Sequence, residues 1–261
     1  MKRFFVIGEN TSKSLSPLIF NHWFKKYKIQ ATYFFIEIKK QNFEKTISQI
    51  IHEKKISGFN VTIPYKKTIF NFLDLKNLHA KKIQAVNCVT LGKKTNGINT
   101  DWIGYKNSIK KLNINKNNNI IILGCGGVAQ AIIYSFVSEG FKNIIVFNRT
   151  KKLINLGRAK HYTKKYSLIL KYLEKADLLI NTTPINPLNK KQSRAVNSKT
   201  IVSDVVYNPK NTVFLKQFKS NSKIYGISML IEQAIPCFYA WFGFTPIVDK
   251  ALLKKIDKKI R

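Results

Sequence analysis

The stretch Ile120-Ile121-Ile122-Leu123-Gly124-Cys125-Gly126-Gly127-Val128-Ala129-Gln130-Ala131, followed through to Arg149, decides the fold. Four apolar residues read as a buried strand, three glycines within four residues as a turn, and Val128–Glu139 as an apolar-periodic helix. A second apolar run, Ile144–Phe147, ends in Asn148-Arg149-Thr150. Strand, glycine turn, helix, strand is the opening half of a nucleotide-binding α/β domain. Gly124 allows the tight turn out of the strand. Gly126 keeps a Cβ away from an approaching pyrophosphate, and Gly127 allows a close start to the helix, whose N-terminus favours anions. Ala131 stands where a third small residue packs against the strand.

The end of the second strand selects the nucleotide. An acidic residue there would accept hydrogen bonds from a ribose 2′-OH. The sequence instead reads Asn148-Arg149-Thr150-Lys151-Lys152, and no acid occurs between Glu139 and Glu174. Arg149 is one of only five arginines in a lysine-rich chain, and a guanidinium grips a phosphate with two parallel hydrogen bonds. The pattern favours NADP, with Arg149 suited to its 2′-phosphate.

At 261 residues the chain can bury roughly 70–75% of its unfolded surface and has room for two modest domains. The formal charge of +33 is in the range that marks nucleic-acid binders. Its lysines are spread over the whole length together with asparagine and isoleucine, which reads as compositional drift and not as a built patch. The diffuse charge attracts anionic small molecules without a dedicated site. Three scattered cysteines without C-x-x-C spacing and four histidines without ligand spacing give neither a disulfide framework nor a metal site, which fits a reducing cytoplasm. The first residues read as a strand and not as a signal peptide, and no apolar run reaches membrane-spanning length.

Outward from the glycine stretch, Phe4–Ile7 and Thr32–Ile38 read as strands, with Leu18–Tyr27 and Phe43–Ile51 as amphipathic helices. Ser14 and Ser16 precede the first helix, Pro17 suits its first turn, and Ser16 is placed to cap it. Two hydroxyls there also suit a carboxylate, and the residues alone leave both readings open. Asn60-Val61-Thr62-Ile63-Pro64-Tyr65-Lys66 reads as strand, proline and the first turn of a helix. A lysine there opposes the helix dipole, and a residue that breaks a local rule is a functional candidate. Thr100 or Asp101 can cap a helix over Trp102–Leu112. Further on, Lys164–Leu173 reads as helix or loop, Leu178–Asn181 and Ile201–Val206 as strands, and Val213–Phe218 as a short helix. Met229–Phe242 is strongly apolar, with Pro236 inside it marking a kink or break.

Seven ordered motifs, SLSP (Ser14–Pro17), NVTIPYK (Asn60–Lys66), AVN (Ala85–Asn87), NTDWIG (Asn99–Gly104), GCGGVAQA (Gly124–Ala131), NRT (Asn148–Thr150) and GISMLIEQA (Gly226–Ala234), resemble those of the shikimate dehydrogenases along nearly the whole chain. The resemblance implies an α/β protein of two domains with a cleft between them. An N-terminal substrate domain would comprise residues 1–100 plus 229–261, and a Rossmann-like doubly wound dinucleotide-binding domain residues 101–228. It implies NADPH-dependent reduction of 3-dehydroshikimate to shikimate, in the route to chorismate and the aromatic amino acids, by a monomer or homodimer. Carried over by motif, Ser14 and Ser16 would hold the substrate carboxylate, with Tyr207 near it. Thr62, Asn87 and Gln233 would read the ring hydroxyls, and Lys66 and Asp101 would form the catalytic pair. Gly124, Gly126, Gly127, Asn148, Arg149, Thr150 and Gly226 would face the cofactor.

The chemistry suits these residue types. Hydride arriving at a ketone leaves an alkoxide that an ammonium neutralises, and neutral amides and hydroxyls read buried hydroxyls directionally. The chain departs from the family pattern at Phe20, where a histidine is usual, and at Leu153, where an arginine is. It departs again in the TTPINP run after Asn181 and at Ile227-Ser228. Relaxed use of quinate or NAD is therefore the alternative reading. A basic nucleic-acid-binding protein on a dehydrogenase fold is the distant one.

Overall fold

The computed structural model describes residues 1–112, 114–156 and 159–260. The chain forms two compact units, Met1–Thr100 with Gln233–Lys259, and Asp101–Glu232 with the chain from Ile260.

The first unit is built on a six-stranded mixed sheet. Its strands are β1 (Lys2–Gly8), β2 (Ala31–Glu37), β3 (Ile56–Val61), β4 (Leu75–Lys76), β5 (Cys88–Thr90) and β6 (Asn96–Ile98), in the order β2-β1-β3-β5-β6-β4. β2 and β3 run parallel to β1, after helices α1 (Ser16–Lys26) and α2 (Phe43–His52), while β5 runs antiparallel to both β3 and β6. The unbroken Phe4-Phe5-Val6-Ile7 run of β1 is buried on both faces, as a covered central strand requires. On one side Phe5 and Ile7 join Phe43, Ile47, Phe59, Val61 and Tyr65. On the other, Phe4 packs against Phe24 and Trp241, and Phe20 stacks on Tyr33. A short helix, α3 (Leu78–Ile83), ends at Gln84 in the left-handed region (φ 57°). Without a glycine to announce it, that stop carries no sequence signal.

The second unit carries a parallel sheet of β7 (Ile120–Leu123), β8 (Ile144–Phe147), β11 (Leu178–Asn181), β12 (Ile201–Asp204) and β13 (Lys223–Tyr225), in the order β13-β12-β11-β7-β8. Register is continuous across its centre, with Ile120–Leu123 opposite Leu178–Asn181 on one side and Ile144–Phe147 on the other. Strand order therefore reverses between β7 and β11, and ligands of open parallel sheets gather at the carboxyl ends of strands at such a point. Helices α4 (Asp101–Ser108) and α5 (Gly127–Ser138) belong to this unit, as do the short α6 (Leu170–Leu173), α7 (Lys190–Arg194) and α8 (Val213–Lys216). A small antiparallel hairpin, β9 (Leu153–Leu156) with β10 (Ala159–Tyr162), follows β8.

The unit boundary falls inside α9 (Gly226–Phe242), and α10 (Lys250–Lys259) packs Leu252 and Ile256 into the first unit. α9 runs through Pro236 as one element, where the sequence suggests a break. Proline removes one backbone N–H. Ala234, Cys237 and Phe238 on either side of it are fully buried. Among the described residues no helix is long and apolar enough to cross a membrane.

Candidate active site

In the first unit the chain after β3 passes through turns at residues 63–67 and opens into a 3₁₀ helix at Thr68–Phe72. Lys66 lies in these turns and not in the first turn of an α-helix, so the dipole argument does not apply to it. Its position has another cause. The Thr62 N–H donates to the Ile7 carbonyl at 2.9 Å and the Tyr65 N–H to the Thr62 carbonyl at 3.0 Å. The Lys66 carbonyl accepts from the Val86 N–H at 2.8 Å. Lys66 is thereby tied to the strand entry that carries Asn87, with only 8% of its surface exposed.

Asn87 is the hub of a buried polar cluster. Its Nδ2 donates to Thr100 Oγ1 at 2.8 Å and Gln233 Oε1 at 3.1 Å, and its Oδ1 accepts the Thr100 N–H at 2.7 Å. The Asn87 carbonyl accepts from Asn60 Nδ2 at 2.9 Å, and Asn60 Oδ1 accepts the Tyr33 hydroxyl at 2.7 Å. Cys237 lies 3.2 Å from Thr100 Oγ1 and donates to the Gln233 carbonyl one turn before it. Thr100, Asn60, Cys237 and Tyr33 were not candidates from sequence. Cys237 had a legible signal, four residues after Gln233 on the same helical face. These donors and acceptors fix both amide orientations without any net charge, the chemistry that reads hydroxyl groups.

Ser16 does not take the capping role its position suggests. The helix starts at Ser16 itself, with Leu15 at the N-cap and no side-chain capping bond. Ser14 Oγ instead accepts the Ser16 N–H at 3.2 Å. The loop before them is held by Glu37, whose Oε1 accepts the Thr11 and Ser12 N–H groups at 2.9 Å each. Hydrogen bonds from Ser12 first, and from Thr11, hold this carboxyl below its ordinary value.

Asp101 opens α4 and is 3% exposed. The helix ends at Ser108, short of the expected Leu112, and the Ser108 hydroxyl bonds back to the Tyr105 carbonyl. Hydroxyl return to the backbone of this kind competes with helix continuation.

In the second unit the glycines divide their work. Gly124 has φ +101°, and a Cβ there would fall 2.6 Å from Thr182 Oγ1 and 2.8 Å from Thr183 Cγ2. Its role is conformation and packing against the end of β11, where the Thr182 hydroxyl donates to the Leu123 carbonyl. A Cβ on Gly126 would meet no atom within 4 Å. That open space, at an α5 N-terminus with no side-chain cap and no acid in its first turn, fits a pyrophosphate. Gly127 is the first helical residue. At Gly226 a Cβ would lie 2.4 Å from the Val205 carbonyl oxygen, so this glycine's structural task is contact with backbone.

At the end of β8, Asn148 Nδ2 donates to the Thr150 carbonyl at 3.0 Å and shapes the basic loop. Arg149 and Thr150 are exposed. Burial pushes the Tyr166 hydroxyl up to about 12, against the pull of the nearby Arg149 guanidinium. The loop's donors and charge fit a 2′-phosphate. β12 ends at Asp204, two residues before the expected Val206, because the Asp204 carboxylate captures the Val206 N–H at 3.0 Å. Tyr207 follows, half-buried. Among the described residues no group of three or more His, Cys, Asp or Glu side chains could hold a metal ion.

Comparison with known proteins gives a consistent result. Residues 6–89 match the family model described as the shikimate dehydrogenase substrate binding domain, and residues 107–209 match shikimate / quinate 5-dehydrogenase. The chain is 39% identical over 251 residues to a shikimate dehydrogenase (NADP(+)) of Clostridium beijerinckii, covering 92% of each. A crystal structure of shikimate dehydrogenase 1 from Peptoclostridium difficile superposes with a TM-score of 0.84 at 30% identity, over 100% of this chain and 98% of that one. Another shikimate dehydrogenase, solved in complex with NADP+, gives a TM-score of 0.85 at 28% identity, over 100% and 96%.

Proposed function

The chain belongs to the shikimate dehydrogenase family, and from that we infer that it reduces 3-dehydroshikimate to shikimate, reversibly, with NADPH. The observation that carries the reading is the buried, uncharged Asn87–Thr100–Gln233 cluster, with the nine-tenths-buried Lys66 tied through its carbonyl to the neighbouring Val86 N–H. Such a site suits a ring of hydroxyls with a polar bond to be protonated.

When bound, NADPH supplies the hydride for the ketone carbon. Lys66 delivers a proton to the ketone oxygen as negative charge develops there, and Asp101 orients the ammonium and balances its charge. Asn87, Thr62 and Gln233 hold the ring hydroxyls. Ser14, Ser16 and Tyr207 hold the carboxylate, and for Ser16 the absence of a capping duty supports that role. Gly126 and Gly127 leave room for the pyrophosphate at α5, Gly124 sets the turn before it, and Gly226 shapes the nicotinamide end. Asn148, Arg149 and Thr150 receive the 2′-phosphate. Three buried free cysteines are in keeping with a cytoplasmic enzyme.

The test is nucleotide reduction with shikimate or quinate, each with NADP or NAD. Activity confined to shikimate with NADP is expected. Preference for quinate or NAD would replace the reading with the broader quinate/shikimate specificity, and inactivity of folded protein in all four combinations would reject it.

A further inference from the structure

We propose that Asp204 is a positioning residue that fixes the 205–212 loop, and with it Tyr207; the substrate side of this assignment rests on the role proposed above for Tyr207. The Asp204 side chain is 2% exposed at the carboxyl end of β12. Its Oδ1 accepts Asn181 Nδ2 at 3.2 Å and the Val206 N–H at 3.0 Å, and its Oδ2 accepts the Thr212 hydroxyl at 2.6 Å. One carboxylate thus holds both ends of the loop and ties them to the end of β11.

Each partner is committed as a donor. Asn181 Oδ1 already accepts the Thr183 N–H and hydroxyl, so only its amide NH₂ can face Asp204. The Val206 N–H has no acceptor function. Thr212 Oγ1 accepts the Leu215 N–H as the N-cap of α8, which aims its proton at Asp204. Three converging donors require a group that only accepts, and among side chains of this size that is an ionised aspartate. Burial disfavours the charge and raises the Asp204 carboxyl, while bonds from Thr212, Val206 and Asn181 oppose the rise. From the other side Gly226 presses on the Val205 and Val206 backbone, leaving no room for a Cβ. Tyr207 is the first of the five residues between this clamp and the Thr212 tether.

Asp204→Asn keeps the shape but turns one acceptor into a donor facing donors. In the full-length protein, amide exchange across Val206–Thr212 should accelerate at least tenfold while Ile120–Leu123 and Leu178–Asn181 stay protected. KM for shikimate should rise about tenfold, with kcat within threefold. Adding Asp204→Asn to Tyr207→Phe should change KM by less than twofold, because the tyrosine hydroxyl is the group being positioned. Unchanged loop exchange, or KM effects that multiply in the double variant, would overturn the assignment. Thr212→Val, which removes one tether together with the α8 cap, should raise KM about threefold and serves if Asp204→Asn does not fold. The exchange measurement needs no substrate, so wild-type inactivity on shikimate would reject the proposed function while the loop anchor is judged on its own.

Discussion

Lys66 and Asn87 show what a residue type reveals and what it hides. The helix-dipole argument that singles out Lys66 from the sequence does not apply to it, since Lys66 sits in a turn. Its burial sets it apart from the other described lysines, and burial is a tertiary property. Asn87 was marked by its motif, whereas its partner Thr100 looked like an ordinary helix cap, because capping and bridging use the same hydroxyl. Lys66→Ala should lower kcat by roughly 10²–10⁴-fold, read by steady-state kinetics at saturating substrate. Arg149→Ala should raise KM for NADPH and leave that for NADH nearly unchanged, since only the former carries the 2′-phosphate. Gly126→Ala separates folding from binding. With no atom within 4 Å of its Cβ, the thermal midpoint should hold while KM for NADPH rises.

Elements were legible where apolar residues repeat without interruption. β7, β8 and β11 match the runs Ile120–Leu123, Ile144–Phe147 and Leu178–Asn181 because a strand buried on both faces is simply an apolar run. The β9–β10 hairpin was not legible, being four-residue strands in a lysine-rich stretch with too little length for a period to show. α4 ends at Ser108, whose hydroxyl returns to the Tyr105 carbonyl, a contact that no periodicity encodes. The loop before α1 depends on Glu37 across the sheet edge, a contact between residues far apart in sequence. Asp249 links α10 to α1 in the same way, through Lys26 at 2.6 Å and His22 at 3.1 Å. Lys26 first, then the Leu252 N–H and His22, hold the Asp249 carboxyl well below its usual range. Both acids have folded-state values below their unfolded ones. Their stabilisation is therefore complete above about pH 4–5 and fades as pH falls through the folded values. Glu37→Gln with Asp249→Asn should lower the thermal midpoint at pH 7 and flatten its decline toward pH 3. An acid limb as steep as wild type would show that other groups govern it.

At the scale of the molecule, the charge of +33 acts on everything that approaches. Both proposed ligands are anions, so kcat/KM should fall as salt rises from 0.01 to 0.5 M while kcat changes little. Salt-independent kcat/KM would leave the lysine excess without a kinetic role. The order in which the first unit is written has another consequence. Residues 1–100 leave the ribosome more than a hundred positions ahead of Gln233–Lys259, which supply Phe238, Trp241 and Leu252 to the same core. At roughly 5–20 residues per second the interval is on the order of ten seconds. Throughout it Phe4, Phe20 and Phe24 lack the partners that cover them in the finished chain. The nascent amino-terminal half therefore carries an uncovered aromatic face until its last two helices emerge.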